Sequence, residues 1–531
     1  MKRPTVTAQP DPTPAVRRRL AAITPTAWLA LAIFLLGALV MLMYRPFQQI
    51  VHNDSAIYDY MAQCVLRGQV LYRDVIDSKA PGSLYLSALV MAVGKAFGWQ
   101  DIIAVRAFYV LLAGLLCTMI FLVARIYLHN RLVAVFAALL PLVSPDFAEM
   151  IVQGTRPKIP MIICGLLTLY LLAKDRPFWA GFCSMLACLC WQPGLAFAGI
   201  ALLIASRYLT SWRDLRALKV AAGAAIPLAI LLLYFLAVGA LRDLWMWTIA
   251  YNYLYYHPAL KQSVGTNVIV LWDSLRQALG ANLLWVKISL AGWLIYAGER
   301  LWAKIESRSL GPQSESFKDA LLFPPLIYVT FYLTFYNSDG EENLIPLYPF
   351  IAIFAGYFLL LVVRLIERLP WIARAPRRAA LIAWLPLLPL ALILLSIYHH
   401  ARGYQLEAGR TLQDQQREFQ AVAELLAPDD KIYVHGTVEL LVFLNRPNMN
   451  RYIYLVLGKD DFIGERVPGG FRAVLDQMEA EAPKVIALTR MHGVRHREEF
   501  FQWAEAHYDK LPIAFTHDAV FVRRPSPLQS D

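Results

Sequence analysis

Charge is scarce in this sequence, and paired cysteine is missing from it. Only 17% of the 531 residues are Asp, Glu, Lys or Arg, against about 25% in ordinary soluble domains. The six cysteines, Cys64, Cys117, Cys164, Cys183, Cys188 and Cys190, form no CxxC pair and no metal-ligand spacing with histidine. A disulfide scaffold and a zinc module are therefore excluded, and the cysteines read as small core residues. No basic face is interleaved with aromatics, and the net charge of +11 falls in short loops between apolar runs. That placement excludes nucleic acid as a partner and points to membrane orientation. No internal repeat is found, nor any low-complexity segment beyond the Pro-rich basic tail through Arg17-Arg18-Arg19. The paired half-sequences and matched broken helices expected of a transporter are thus missing too.

What is present is apolar residue, 58% of the chain. Several runs approach the ~20 residues that a membrane-crossing helix needs. The expected fold is an α-helical polytopic membrane protein with candidate spans 27–44, 102–124, 132–150, 159–173, 220–240, 283–302, 320–336, 344–363 and 379–398. The long run 178–205 is split by Gln192-Pro193 into two short helices, which brings the reading to about eleven crossings. The first run is too long for a signal-peptide core and reads as a retained span.

Orientation follows from the Lys and Arg in the loops. The tail and the basic loops 125–131, 174–176, 207–219, 300–318 and 364–378 fall on one side, taken as cytoplasmic. Loop 337–343 carries Asp339, Glu341 and Glu342 without a basic residue and falls on the other side. Segment 83–97 is too short to cross and reads as a re-entrant or interfacial helix. It belongs to a first outer loop, 45–101, and the aromatic run WMWTIAYNYLYYHPALKQ in loop 241–282 has the composition of a membrane interface. The expected domains are a cytoplasmic basic tail, 1–26, a membrane domain, 27–400, and a soluble outer α/β domain, 401–531. In that last domain come KIYVHG, an apolar helix to Asn445, RYIYLVL, the strand KVIALT, further helices and a hairpin-like pair ending at Val522. The expected location is a plasma or inner membrane, multi-pass, with membrane lipids as surroundings.

The stretch HNDSAIYDYMAQCVLRGQVLYRDVIDSKAPG, 52–82, places Asp54, Asp59, Asp74, Asp77 and Lys79 beside the first span. Charges so close to hydrocarbon are costly and mark function. Asn53 or Asp54 is placed to N-cap a helix over 55–67, with Gly68 as its stop. Ile57, Met61 and Val65 make one face and Asp59, Gln63 and Arg67 the other, the pattern of an amphipathic helix on a membrane surface.

From Asp54 to Gly82 the stretch resembles the first outer loop of the GT-C glycosyltransferases. It is most similar to the bacterial dolichyl-phosphate-mannose-protein mannosyltransferase-like and aminoarabinose-transferase-like branch. Asp54 with Tyr58 matches that family's D-to-Y helix start. Gly68, Tyr72 and Asp74 match its G-x-x-x-Y-x-D turn, and Lys79-Ala80-Pro81 matches its K-P-P element. NLIPLYP, Asn343 to Pro349, resembles its Y-x-L-P-x-x-P entry to a late span. The resemblance implies transfer of a sugar from a polyprenyl-phosphate carrier to an outer-face acceptor (a glycan, a lipid or a protein), with inversion. It also implies roles. Asp54 is the candidate base, and Lys79 the contact to the leaving phosphate. Asp74 and Asp77 bind sugar hydroxyls or hold Lys79 and Arg73, with Tyr58 and Tyr72 as supporting aromatics.

The chain departs from that pattern in the next outer loop, IVQGTRPK, where relatives carry an acid and this sequence has Arg156 and Lys158. Either Asp146 or Glu149 takes the second acidic role, or one carboxylate works with a more cationic phosphate pocket that includes Arg156 and Lys158. No cofactor is assigned; a divalent cation at Asp339, Glu341 and Glu342 stays open, as does a plainly solvated loop. His257, His435, His492 and His517 have no metal or triad spacing. The bland alternatives are a cap role for Asp54 and a snorkelling Lys79. The rival functions are a polysaccharide polymerase or ligase, a transporter or flippase, and a scaffold displaying the outer domain.

Overall fold

The apolar runs fold as helices, and the C-terminal segment folds as a helix-flanked sheet. The computed structural model describes residues 25–206, 214–307, 316–335, 341–369, 385–406, 409–489, 491, 494–511 and 519–524. Most of the basic tail, Asp339, His492, His517 and the start of the expected last span at 379 lie outside the described residues, as do the side chains of Glu341 and Glu342.

From the N-terminus run α1 (Pro25–Met43), α2 (Asn53–Leu66), α3 (Gly82–Ala96), α4 (Asp101–Leu128) and α5 (Arg131–Leu139). There follow α6 (Pro145–Val152), α7 (Lys158–Ala173), α8 (Pro177–Cys190), α9 (Leu195–Ser206) and α10 (Arg216–Ala237). An aromatic stretch with π-helical turns at Met246–Ala250 and Asn252–Tyr256 leads to α11 (Val264–Leu279) and α12 (Leu283–Ser307). The bundle closes with α13 (Phe323–Thr334), α14 (Tyr348–Glu367) and α15 (Leu387–Gly403).

Among the described residues 4 helices, α1, α4, α10 and α14, are long and apolar enough to cross a membrane, and a bent pair makes up to 5 if it counts as one span. The other apolar helices are shorter, so length and composition alone do not reach the expected eleven. The expected span 132–150 is that bent pair: Arg131–Val143 meets Pro145–Val152 at 76°. Pro141 and Pro145 flank the bend, where proline supplies no backbone donor, and Ser144 caps α6 by accepting the Phe147 N–H at 3.3 Å. The split of 178–205 at Gln192-Pro193 is present, as α8 and α9. The apolar window of α4 is 67% buried against 28% in α1 and 22% in α10, so α4 is central and the other two face outward. α1 crosses α4 backbone to backbone, because a Cβ added to Gly114 would sit 2.5 Å from the Phe34 carbonyl oxygen.

The C-terminal segment contains α16 (Leu412–Ala423), β1 (Ile432–His435), α17 (Val438–Leu444), α18 (Lys459–Arg466) and α19 (Gly470–Glu481). It ends with β2 (Val485–Leu488), α20 (Arg497–His507), β3 (Tyr508–Leu511) and β4 (Ala519–Arg523). The 4-stranded sheet has the order β1-β2-β4-β3, parallel between β1 and β2 and antiparallel elsewhere. β1 and β2 are buried at every position, as strands covered on both faces are. RYIYLVL forms turns and lies outside the sheet. Its backbone groups are taken singly: the Arg451 carbonyl by Ile76 N–H, the Tyr452 N–H by Asn450 and the Ile453 carbonyl by Gly436 N–H.

α2 departs from expectation in a way that shapes the site. Residues 55–64 are all buried, so α2 does not lie on a membrane surface. One hydrophobic core joins α2, Val70 to Ile76, the aromatic stretch and the outer sheet. The polar face has protein partners as well. Gln63 donates to Asp101 at 3.0 Å and to the Val442 carbonyl at 3.2 Å, and Arg67 donates to Asn445 at 2.8 Å. The helix is clamped between the bundle and the C-terminal segment.

Candidate active site

The N-cap of α2 is His52, without a side-chain cap bond, so Asp54 stands inside the first turn and the expected cap role is not realised by it. Its carboxylate turns to Lys79 instead. Oδ2 accepts from Lys79 Nζ at 3.2 Å and from the Tyr58 hydroxyl at 3.2 Å. The Lys79 ammonium also lies 4.6 Å from the centre of the Tyr58 ring, a cation–π distance. Tyr58 is therefore part of the site.

Lys79 is held from several directions. Buried Tyr72 donates to the Lys79 carbonyl at 2.6 Å, and Asp77 Oδ2 accepts the Lys79 N–H at 3.3 Å. Asp77 Oδ1 accepts from the Tyr454 hydroxyl of the C-terminal segment. The Ser78 carbonyl takes Gln192 at 2.8 Å and Asn252 at 2.7 Å. The Gln192-Pro193 break thus supplies a donor that braces the loop. Asp74 stays outside this cluster. It closes the turn by accepting the Val70 N–H at 2.7 Å and pairs with Arg73 at 2.9 Å. That pairing holds its carboxyl below the usual range.

The loop between α6 and α7 enters through Gly154, whose φ of 141° and crowding require glycine: a Cβ there would lie 2.8 Å from Asp59 Oδ2. Asp59 Oδ1 accepts the Thr155 hydroxyl at 2.6 Å and its N–H at 3.2 Å. Burial pushes the Asp59 carboxyl up to about 6, against the Thr155 bonds and the nearby Arg106 and Arg156. Arg106 is wholly buried and ties the two loops together. It donates to the carbonyls of Pro46 (2.8 Å), Gln49 (2.5 Å), Ile50 (2.9 Å) and Gln153 (3.1 Å).

Arg156 and Lys158 are brought to Asp54. Both are nearly buried, at 6% and 5% exposure. Arg156 donates to Gln153 at 2.6 Å, and Lys158 donates to Asn343 of the NLIPLYP element at 2.7 Å while lying 5.3 Å from the Trp191 ring centre. Asp54, Tyr58, Lys79, Arg156, Lys158, Trp191 and Ile345 line one narrow cleft. Burial pushes the Asp54 carboxyl up, but Lys79, Arg156 and Lys158 outweigh it and hold the group well below the ordinary carboxylate range. The 35% of its side-chain surface that remains open lines this cleft. Next to Lys79 begins an apolar cavity of about 770 Å³, walled by Ala80, Pro81, Leu189, Leu231, Trp245 and Ile249.

Asp146 and Glu149 do not line the cleft. They sit in α6, where Glu149 accepts from Tyr404 at 3.3 Å. Among the described residues no group of three or more His, Cys, Asp or Glu side chains is placed to hold a metal ion. Sequence reasoning missed the bracing roles of Asp59, Gln192, Asn343 and Tyr454. Only the glycine before Thr155 and the isolated Gln192-Pro193 break signalled any of them.

No family model matches the sequence, and no curated protein matches it. Solved structures do. The crystal structure of ArnT from Cupriavidus metallidurans bound to undecaprenyl phosphate superposes with a TM-score of 0.60 at 16% identity, covering 95% of this chain and 99% of that one. Its apo state gives 0.59 at 15% identity, covering 94% and 99%. The oligosaccharyltransferase AglB from Archaeoglobus fulgidus, in complex with an inhibitory peptide and a dolichol-phosphate, gives 0.53 at 12% identity, covering 94% and 76%. At such identities the likeness is one of fold, and it extends over nearly the whole chain.

Proposed function

We propose that this chain, which has the GT-C fold, is a membrane glycosyltransferase that moves a sugar from a polyprenyl-phosphate-linked donor to an acceptor on the outer face, with inversion and with Asp54 as base. The observation that carries the reading is one carboxylate facing Lys79, Arg156 and Lys158 in a cleft that adjoins a large apolar cavity. The neighbours' ligands, undecaprenyl phosphate and dolichol-phosphate, are of the class such a pair of cavities fits. The carrier phosphate sits among the cations and the prenyl chain enters the apolar cavity. The acceptor, a glycan, lipid or protein hydroxyl, approaches Asp54. Its oxygen forms the new bond to the anomeric carbon as the bond to the phosphate oxygen breaks. The proton goes to Asp54, and the electron pair leaves on the phosphate, where the cations stabilise it.

The electrostatics support this order of events. A carboxylate depressed by Lys79, Arg156 and Lys158 is a weak base in the free protein. An arriving phosphate neutralises those cations and returns basicity to Asp54, so donor binding precedes proton removal. The expected setting is a multi-pass protein of the plasma or inner membrane with the outer domain extracytoplasmic.

The test is release of free carrier phosphate by the purified protein supplied with polyprenyl-phosphate sugars, compared with Asp54→Asn. The expected result is turnover in the wild type and a drop of at least about 100-fold in the variant. Equal turnover in both removes Asp54 as the base, and no turnover with any donor removes the reading.

A further inference from the structure

We infer that Lys459, contributed by the outer domain, is a positioning residue of the catalytic loop: its ammonium, caged by Tyr251 and Tyr454, fixes through Tyr454 the Asp77 carboxylate that orients Lys79. The inference rests on the glycosyltransferase reading above and gives the outer domain a part in the site itself.

Lys459 opens α18 directly after Gly458 and has no exposed surface. Lysine is almost never buried completely unless it is paired. Here Nζ lies 3.4 Å from the Tyr454 ring centre and 5.2 Å from that of Tyr251. Among the described residues no hydrogen-bond acceptor reaches it. A site with no need of charge would be better filled by an apolar residue of the same length.

The cage explains what the charge does. The Tyr251 hydroxyl donates to the Leu457 carbonyl at 2.5 Å, which fixes that ring. A cation against the Tyr454 ring polarises its phenol and strengthens the bond it donates to Asp77. Asp77 in turn accepts the Lys79 N–H at 3.3 Å, and Lys79 meets Asp54 at 3.2 Å. One line of contacts therefore runs from the outer domain to the candidate base.

The charged groups around Lys459 oppose one another. Asp77 and Asp54 favour its ammonium, whereas burial, the largest influence, and Lys79 disfavour it. His435 on β1, which senses Lys459, is itself held neutral by burial, its value brought down to about 4. The carboxylate of the adjoining Asp460 is engaged by the Arg495 N–H at 2.9 Å. The balance lowers Lys459 from 10.5 to about 7. Between those values the unfolded chain binds the extra proton, so this residue makes the native state more stable as pH rises from about 7 toward 10.5. A lysine kept under that penalty is being used.

The experiment measures carrier-phosphate release and thermal unfolding against pH for the full chain in lipid nanodiscs, as wild type, Lys459→Met, Lys459→Arg, Tyr454→Phe and the Met/Phe double variant. Lys459→Met should unfold no earlier than wild type near neutral pH, yet lose about tenfold in kcat. It should also lose the titration of rate near neutrality, and Lys459→Arg should restore part of kcat. Tyr454→Phe should show the same loss, and the double variant no further loss, since the two side chains act as one unit. Wild-type kcat and pH profile in Lys459→Met overturn the proposal, as does an activity loss that merely follows thermal stability. If Lys459→Met does not fold, Tyr454→Phe decides alone, and a wild-type rate and pH profile in it overturn the proposal. A wild type without turnover overturns both readings, whereas Asp54-dependent turnover that survives in Lys459→Met overturns this one alone.

Discussion

In the loop before α3 Lys79 is braced by its own neighbours, with Gln192, Asn252 and Tyr454 reaching in from other elements. Tyr72 binds its carbonyl, Asp77 its N–H, and a turn closed by Asp74 and Val70 holds the approach. In the loop leading from α6 into α7 Arg156 and Lys158 are braced by other elements: Asp59 of α2 anchors Thr155, Asn343 takes Lys158, and Arg106 of α4 ties in Gln153. The first loop brings a carboxylate with its cation, and the second brings cations alone. A loop that carries its own supports can be expected to keep its geometry when the cleft is empty. A loop that borrows them depends on the fit of the bundle around it.

The largest effect should come from breaking the self-braced loop at its charge. Lys79→Met should lower kcat by about 10²–10³, because on the proposed function one ammonium serves both the phosphate and Asp54. It should also move the acid limb of the pH–rate profile upward, since Lys79 is the strongest of the cations that hold the Asp54 carboxyl down. A smaller loss than Lys158→Met shows under the same assay would reverse the ranking of the two loops.

The borrowed loop should break at Gly154. Alanine there must adopt a φ of 141° and place its Cβ 2.8 Å from Asp59 Oδ2, so Thr155 to Lys158 shift together. The expected outcome is a fall in kcat/KM between about tenfold and 100-fold, with about 1–3 kcal/mol of stability lost. Gly68→Ala is the matched change in the first loop. Its φ is 83° with nothing within 4 Å of a Cβ, so it should cost only about 1–2 kcal/mol and leave donor kinetics unchanged. Steady-state kinetics and unfolding of the two variants side by side would show whether the contrast holds; equal kinetic losses would end it.

The same contrast explains what could be read before the structure. Asp54, Tyr58 and Lys79 fall within one short stretch, so their spacing and their resemblance to a family loop were enough to bring them together. Arg156 and Lys158 were visible as cations where an acid was expected. Tyr454 and Asp77 are 377 positions apart, and no local pattern links them. Amphipathic spacing in α2 showed two faces but not what covers them, so a clamped helix looked like a surface one. Hydropathy likewise cannot show that Pro141 and Pro145 would turn one apolar run through 76°. RYIYLVL has strand composition, yet its backbone is used group by group to carry Tyr454 toward Asp77.

The smallest effect belongs to Asp74, expected from the resemblance either to bind a sugar hydroxyl or to hold Lys79 and Arg73, and found closing a turn and paired with Arg73. Asparagine at this position can still accept the Val70 N–H, so Asp74→Asn removes only the pairing with Arg73. Such a partly exposed pair contributes about 0–1 kcal/mol. Arg73 holds the Asp74 carboxyl below its unfolded value, so the pairing contributes above the unfolded pKa and fades as pH falls through the folded one. Thermal unfolding of wild type and Asp74→Asn should therefore differ slightly at neutral pH and converge in acid, while carrier-phosphate release stays at the wild-type rate. A tenfold loss of turnover with unfolding unchanged would instead place Asp74 on the substrate. The first loop would then be reaching its sugar through a residue turned here toward Arg73.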